Sequence, residues 1–149
     1  MIRQAVGAIA KTKNGDILLV EKVKWHDKNG NKINTTAEWD IPKGGVKSED
    51  KSLQEALVRE LTEETGSAEW EIVSQYDAKI QFTFPTSVQE KIGYKGQHTT
   101  LFHVVYTGNN DVFTPIDTEI KSCRWVSKEN IVDIVAHEET KHFLTKYVL

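Results

Sequence analysis

Between Ser52 and Gly66 the chain carries the pattern that most narrows its possible folds, a helix whose start, stop and two faces are all legible. Ser52 followed three residues later by Glu55 is a capping box, in which side chains satisfy the first unpaired N–H groups of a helix. Gly66 stands where a left-handed C-cap belongs. The helix is expected from about 53 to 65. Leu53, Ala56, Leu57 and Leu61 recur at helical spacing on one side and leave Arg59, Glu60, Glu63 and Glu64 on the other, so one face packs and the other is acidic.

On both sides of this helix the pattern is that of strands. Val6, Ala8 and Ala10 alternate with Gly7, Ile9 and Lys11, and Asn14-Gly15 precedes Ile17-Leu18-Leu19-Val20, which predicts a tight β-hairpin. Residues 24–37 are polar and turn-rich and read as an exposed loop or a short second hairpin, after which Trp39-Asp40-Ile41 restarts as a short strand. Ile80-Gln81-Phe82-Thr83-Phe84 and Leu101 to Tyr106 predict strands within 70–84 and 98–107, and Glu119 to Val126 reads as another. Ser127, with Asn130 in the fourth place and Ile131, Ile134 and Val135 at helical spacing, predicts a closing helix capped by Ser127. At 149 residues there is length for one core and not for two ordinary domains, so residues 1–149 are expected to form a single α/β domain.

Charge and cysteine usage exclude several function classes. Nineteen basic against 22 acidic side chains leave a net charge of −3, so the chain in bulk is not an electrostatic trap for nucleic acid, and a polyanionic substrate must be met locally. The one cysteine, Cys123, excludes an internal disulfide and a multi-thiolate zinc site, suits a reducing compartment, and is expected to pack in the core. Met1-Ile2-Arg3-Gln4 leads into alternating residues, and nowhere are there 18 consecutive apolar residues, so a cytoplasmic location without membrane insertion is expected.

In Arg59-Glu60-Leu61-Thr62-Glu63-Glu64 the carboxylates share a short helical arc, with Glu60 facing both Glu63 and Glu64. Like charges at that spacing destabilise a helix by a few tenths of a kcal/mol each, roughly, which a bound cation would offset. Oxygen donors without nearby His or Cys favour a hard ion such as Mg²⁺ or Mn²⁺ over zinc. The competing reading is a solvated acidic face with Arg59 paired to Glu55 and Glu63. Upstream, Pro42-Lys43-Gly44-Gly45 offers two glycines where the backbone can turn and bring a carbonyl close to a ligand.

Taken together, Gly44-Gly45-Val46…Arg59-Glu60-Leu61-Thr62-Glu63-Glu64-Thr65-Gly66 resembles the Nudix box, G-x5-E-x7-R-E-U-x-E-E-x-G-U, where U is a bulky aliphatic residue. Two positions depart from it: the isolated Glu falls on Lys51 and the final aliphatic on Ser67. Glu49 or Asp50, just before Lys51, is placed to stand in for that Glu. The resemblance implies an α/β/α sandwich with a central mixed β-sheet and a metal-dependent phosphoanhydride hydrolase using Mg²⁺ or Mn²⁺. It makes Glu60, Glu63 and Glu64 metal ligands, aided by the Gly44 carbonyl. Gly45, Gly66 and Arg59 would be structural, with Arg59 holding the loop through an acidic partner such as Glu49.

Beyond the box, Phe82-Thr83-Phe84-Pro85, Gly93-Tyr94-Lys95-Gly96-Gln97 and Glu119…Arg124-Trp125-Val126 look like diadenosine tetraphosphate hydrolases and RNA pyrophosphohydrolases. That likeness makes Glu119 a further metal ligand or the water-activating base. Phe82 or Tyr94 becomes a stacking face for a nucleobase, Gln97 part of the substrate site, and Lys43 and Lys95 contacts to phosphate oxygens. The plainer alternatives are a surface glutamate beside Lys121, a core Phe82 and solvated lysines. After Gln97 those enzymes carry a second Gln, a basic residue and an aromatic, whereas here the run is His98-Thr99-Thr100-Leu101, with His98 able to supply the positive contact. His103, His137 and His142 are assigned no role. The leading expectation is hydrolysis of a nucleotide substrate, diadenosine tetraphosphate, to ATP and AMP. The alternatives are pyrophosphate removal from a 5′-triphosphorylated RNA end, cleavage of oxidised nucleoside triphosphates or of an inositol pyrophosphate, and, from another class, a module that binds a nucleotide without cleaving it.

Overall fold

The computed structural model describes residues 1–109 and 112–149. Strands β1 (Ile2–Lys11), β2 (Ile17–His26), β3 (Lys32–Asp40) and β4 (Lys43–Gly45) precede helix α1 (Leu53–Thr65). After it come β5 (Trp70–Thr83), α2 (Thr86–Ile92), β6 (Gly96–Tyr106), β7 (Ile120–Val126), α3 (Ile131–Ile134), α4 (Glu138–Phe143) and a π-helical turn, Leu144–Val148. The path through the sheet is β3-β2-β1-β6-β5, with β4 on β1 and β7 on β2. It is a mixed sheet: β1 and β6 run parallel from Ile2↔Gly96 to Lys11↔Val105, and the other pairings are antiparallel.

Side-chain alternation along these strands divides the core in two. Val6, Ala8, Ala10, Leu18, Phe102 and Val104 face one way and bury Ala56, Leu57 and Leu61 of α1. Ile9, Ile17, Leu19 and Leu101 face the other way and meet Ile131, Val135, Phe143 and Leu144 of the C-terminal segment. Both faces of β1 are therefore covered, which is the layering expected of helices on either side of a sheet.

The hairpin at Asn14-Gly15 forms as expected, and 24–37 becomes the second hairpin in a longer form than anticipated, with β2 reaching His26 and β3 starting at Lys32. Asp27 Oδ1 accepts the N–H groups of Asn29 and Asn31 and closes its turn. Three elements differ from the sequence reading, the first being Lys43–Gly45, read as a glycine turn, which pairs with β1 as β4. The closing helix is in pieces, because Val135 leaves the helical region to pair with Trp39 and Ala136 N–H donates to the Trp39 carbonyl; Ser127 accepts from Asn130 and Ile131 through its carbonyl and does not cap with its side chain. Helix α2 was not anticipated, although Pro85 and Gly93 bracket it.

Candidate active site

Helix α1 begins with Ser52 Oγ accepting the Glu55 N–H and ends with the Gly66 N–H donating to the Thr62 carbonyl. Its acidic side is not the solvated face that the periodicity suggests. Glu60 is 9 % and Glu64 4 % exposed, tucked beneath the β3–β4 segment, and only Glu63, at 35 % for its side chain, looks outward. The apolar stripe of the helix is correct; the burial of its carboxylates comes from the strand laid over it.

Gly44 touches Glu60 so closely that a Cβ there would overlap the carboxylate, so the glycine is required by space. Arg59 is the hub of the loop. Its Nε and Nη2 grip both oxygens of Asp50 at 3.0 and 2.8 Å, Nη2 also donates to the Gly45 carbonyl at 3.0 Å, and Nη1 reaches Glu60 Oε1 at 2.8 Å and Glu63 Oε2 at 3.6 Å. Asp50, its side chain 3 % exposed, is the partner; Glu49, which sequence reasoning named first, is exposed and accepts from the Ser48 hydroxyl instead. The reason is geometric: Lys47 N–H also donates to Asp50 and closes a turn that aims it at the helix, while Lys51 stays exposed. The Arg59 guanidinium holds the Asp50 carboxyl down at about 2, and the same pairing pushes the arginine above its ordinary value.

Glu64 is the most constrained of the three. Its Oε1 accepts the Lys43 N–H at 3.2 Å, while Oε2 has no hydrogen-bond partner among the described residues. Burial pushes its carboxyl well above the ordinary range, with the charge of Glu60 adding to the effect and Lys22 opposing it. Glu60 is raised too, by burial first, against the pull of Arg59. Two inward carboxylates, one with an orphaned oxygen, beside a glycine loop that leaves room at their edge, are a donor set suited to a hard cation. As the side chains stand, no three carboxylate, imidazole or thiol groups among the described residues converge on a single ligand shell.

Glu119 lies in the turn just ahead of β7. Its segment is drawn in by the C-terminal end of α1, where the Glu63 carbonyl accepts the N–H groups of Ile116 and Asp117, and where Gly66, at φ 77°, passes against the Thr114 carbonyl with no room for a Cβ. Glu119, Glu64, Lys43, Lys22 and Asp40 then line one cleft. The His26 imidazole pairs with the Glu119 carboxylate, and Val23 N–H donates to the Glu119 carbonyl at 2.8 Å. Lys43 Nζ is paired at 2.8 Å with the buried Asp40, which also lies 3.8 Å from His137 Nε2.

The remaining candidates are reached through Arg3. Its Nη1 donates to Gln97 Oε1 at 3.0 Å, and its guanidinium covers the face of Gly45, so the buried Gln97 is linked to the glycine loop. Phe82, opposite Gln97 in the β5–β6 ladder, is partly buried edge-on against Phe84 and belongs to the C-terminal core. Tyr94 is half-buried and Lys95 exposed, in the turn between α2 and β6, with no described contact to the cleft. Cys123 packs as expected, its Sγ 3.3 Å from the Glu64 carbonyl and its thiol pushed up to about 12 by burial. Arg3, Lys22, His26 and Asp40 were missed by sequence reasoning; the one signal available for Asp40 is a carboxylate between Trp39 and Ile41.

A sequence model of the NUDIX domain family matches residues 1–147. Among curated proteins, the chain is 29 % identical over 140 residues to an RNA pyrophosphohydrolase of Wolbachia pipientis, covering 90 % of this chain and 78 % of that one. It is 31 % identical over 103 residues to an RNA pyrophosphohydrolase of Helicobacter pylori, covering 68 % and 66 %. Among solved structures, a NUDIX hydrolase from Nitrosomonas europaea superposes with a TM-score of 0.74 at 17 % identity, covering 99 % of this chain and 88 % of the other. An Ap4A hydrolase of C. elegans does so with a TM-score of 0.69 at 18 % identity, covering 98 % and 95 %. These structural likenesses speak for the fold.

Proposed function

The chain belongs to the NUDIX family of phosphoanhydride hydrolases, and on that premise we propose that it removes pyrophosphate from 5′-triphosphorylated RNA ends. The observation that carries this reading is the run of curated relatives bearing the RNA pyrophosphohydrolase name, two of them aligned over 90 % of this chain. It reverses the order reached from sequence, where diadenosine tetraphosphate led and RNA followed.

In the proposed reaction water attacks a phosphorus, the bond from that phosphorus to the bridging oxygen breaks, pyrophosphate leaves, and RNA with a 5′-monophosphate remains. Glu60, Glu63 and Glu64, with the Gly44 carbonyl, would hold Mg²⁺ or Mn²⁺; such ions neutralise phosphate charge and make water a better nucleophile. Glu119, paired with the His26 imidazole, would orient the attacking water and take its proton. Lys22 and Lys43 face the same cleft and would meet phosphate oxygens, with Asp40 setting the position of the Lys43 ammonium. Arg59 and Asp50 fix the loop against the helix.

The test is to incubate the protein with Mg²⁺ or Mn²⁺ and, separately, a 5′-triphosphate RNA, diadenosine tetraphosphate, nucleoside triphosphates and a nucleotide sugar, with Glu64→Gln as control. Metal-dependent pyrophosphate release from RNA, lost by about 100-fold or more in the control, is the expected result. Faster cleavage of diadenosine tetraphosphate to ATP and AMP would move the assignment to that substrate, and turnover of none would leave a binding module.

A further inference from the structure

The chain as a whole carries a net charge of −3, yet two segments far apart in sequence are both basic. Residues 22–32, the turn-proximal part of the β2–β3 hairpin, hold Lys22, Lys24, Lys28 and Lys32 against the single acid Asp27. Residues 86–95, which hold α2 and the turn after it, contain Lys91 and Lys95 against Glu90. Six lysines against two acids make these segments +4 in a negative protein. The folded chain joins them: Lys28 N–H donates to the Lys91 carbonyl at 2.7 Å, and Lys28 packs against Gly93 so closely that a Cβ there would lie 3.2 Å from Lys28 Cβ.

The seam reaches the active-site cleft through the hairpin and the glycine loop through β6. Lys22 lines the cleft, and further along the same hairpin His26 pairs with Glu119 while Lys32 meets Thr118 and Asp117. From the other segment, Lys95 leads directly into Gly96-Gln97, which Arg3 ties to the glycine loop. Lys28, Lys91 and Lys95 are exposed. Asp27 spends its carboxylate on its own turn, leaving Glu90 as the exposed acid of the two segments. At about 3.4 Å per residue the four strand steps from Lys22 to His26 span roughly 14 Å, and Lys28 lies further out in the turn, beyond the reach of a single nucleotide's polyphosphate in the cleft.

We propose that the seam between the β2–β3 hairpin and the α2–β6 turn, carrying Lys24, Lys28, Lys91 and Lys95, is a track for the phosphodiester backbone of a single-stranded RNA whose 5′ end lies in the cleft. This rests on the hydrolase reading above and adds to it a preference for chain length. Each lysine that neutralises a phosphate releases counterions, so the preference weakens with salt. Tyr94, partly exposed between Lys91 and Lys95 in the chain, would be the aromatic for a base to stack on along the same track.

The experiment compares wild type with Lys28→Glu/Lys91→Glu on 5′-triphosphate RNAs of two and twelve nucleotides and on a nucleoside triphosphate. Lys28→Gln/Lys91→Gln serves as a milder variant, and circular dichroism checks the fold. Wild type should act on the twelve-mer with a KM about tenfold or more below that of the two-mer. The charge-reversed variant should lose that advantage, keep kcat/KM on the short substrates, and show a log–log salt slope shallower by about 1.4, as expected for two lost phosphate contacts on a single strand. A variant that keeps the length advantage, or a wild type that has none, overturns the proposal. Binding of a twelve-mer with a 5′-monophosphate, followed by fluorescence anisotropy, reads the track without turnover. If RNA is not hydrolysed but still binds wild type more tightly than the variant, the track stands and the substrate assignment falls.

Discussion

At the scale of single residues, the site is decided by which side chains are denied water. Gly44 has its side-chain space filled by the Glu60 carboxylate. Gly44→Ala should therefore leave the fold intact and displace Glu60; with displacements near 1 Å costing about 100-fold in rate, kcat should fall by roughly that factor, and unchanged metal-dependent turnover would refute the constraint. Asp50 gives a pH signature. Its carboxyl is lowered from 3.8 to about 2 by Arg59, so the pair's stabilisation is present above the unfolded value near 3.8 and is lost as pH falls through the folded value. The difference in Tm between wild type and Asp50→Asn should hold steady from neutral pH down to about 5, shrink below about 4 and close near 2. A difference that persists at the acid end would show that Asp50 acts through something other than its charge.

Among the elements, α1 was the most legible because its signals are local. Capping joins Ser52 to Glu55 three residues on, and the apolar spacing is a property of the helix itself. Ser52→Ala should cost about 1 kcal/mol, measurable by denaturant titration, since one N-terminal N–H loses its acceptor. The hairpin at Asn14-Gly15 was legible for the same reason, and so was the core role of Leu57 and Leu61. The C-terminal helix was misread because Val135 answers to Trp39, nearly a hundred residues earlier, and a β-bridge there overrides helical spacing. Glu49 and Asp50 are adjacent in sequence and indistinguishable by type; only the turn closed by Lys47 turns Asp50 toward Arg59.

For the whole molecule, the burial of Glu60 and Glu64 makes stability a readout of the proposed metal site. Burial raises the Glu64 pKa and makes its ionised form costly, a cost that a bound cation would offset. Mg²⁺ at 100 times its Kd should stabilise the fold by about 2.7 kcal/mol, roughly 5–10 °C in Tm for a chain of this size. Because ligands must lose their protons, the gain should grow as pH rises, and Glu64→Gln should reduce it. A Tm indifferent to Mg²⁺ in the wild type would count against these carboxylates as ligands. Among the described residues no helix is long and apolar enough to cross a membrane.

The sequence by itself determined α1 with its caps, the first hairpin, the apolar faces of the strands, and the order of glycine loop and glutamates that identifies the family. All of these are written in contacts a few residues apart, where backbone geometry leaves few alternatives. Tertiary structure alone decided that Glu60 and Glu64 are buried, that Arg59 holds Asp50, that Glu119 shares a cleft with Glu64, and that Lys28 meets Lys91. Arg59 finds Asp50 through the turn that Lys47 closes; the others depend on segments meeting across the chain, β4 on β1 and β7 on β2 among them, and those meetings set burial and proximity, which residue type and spacing leave open.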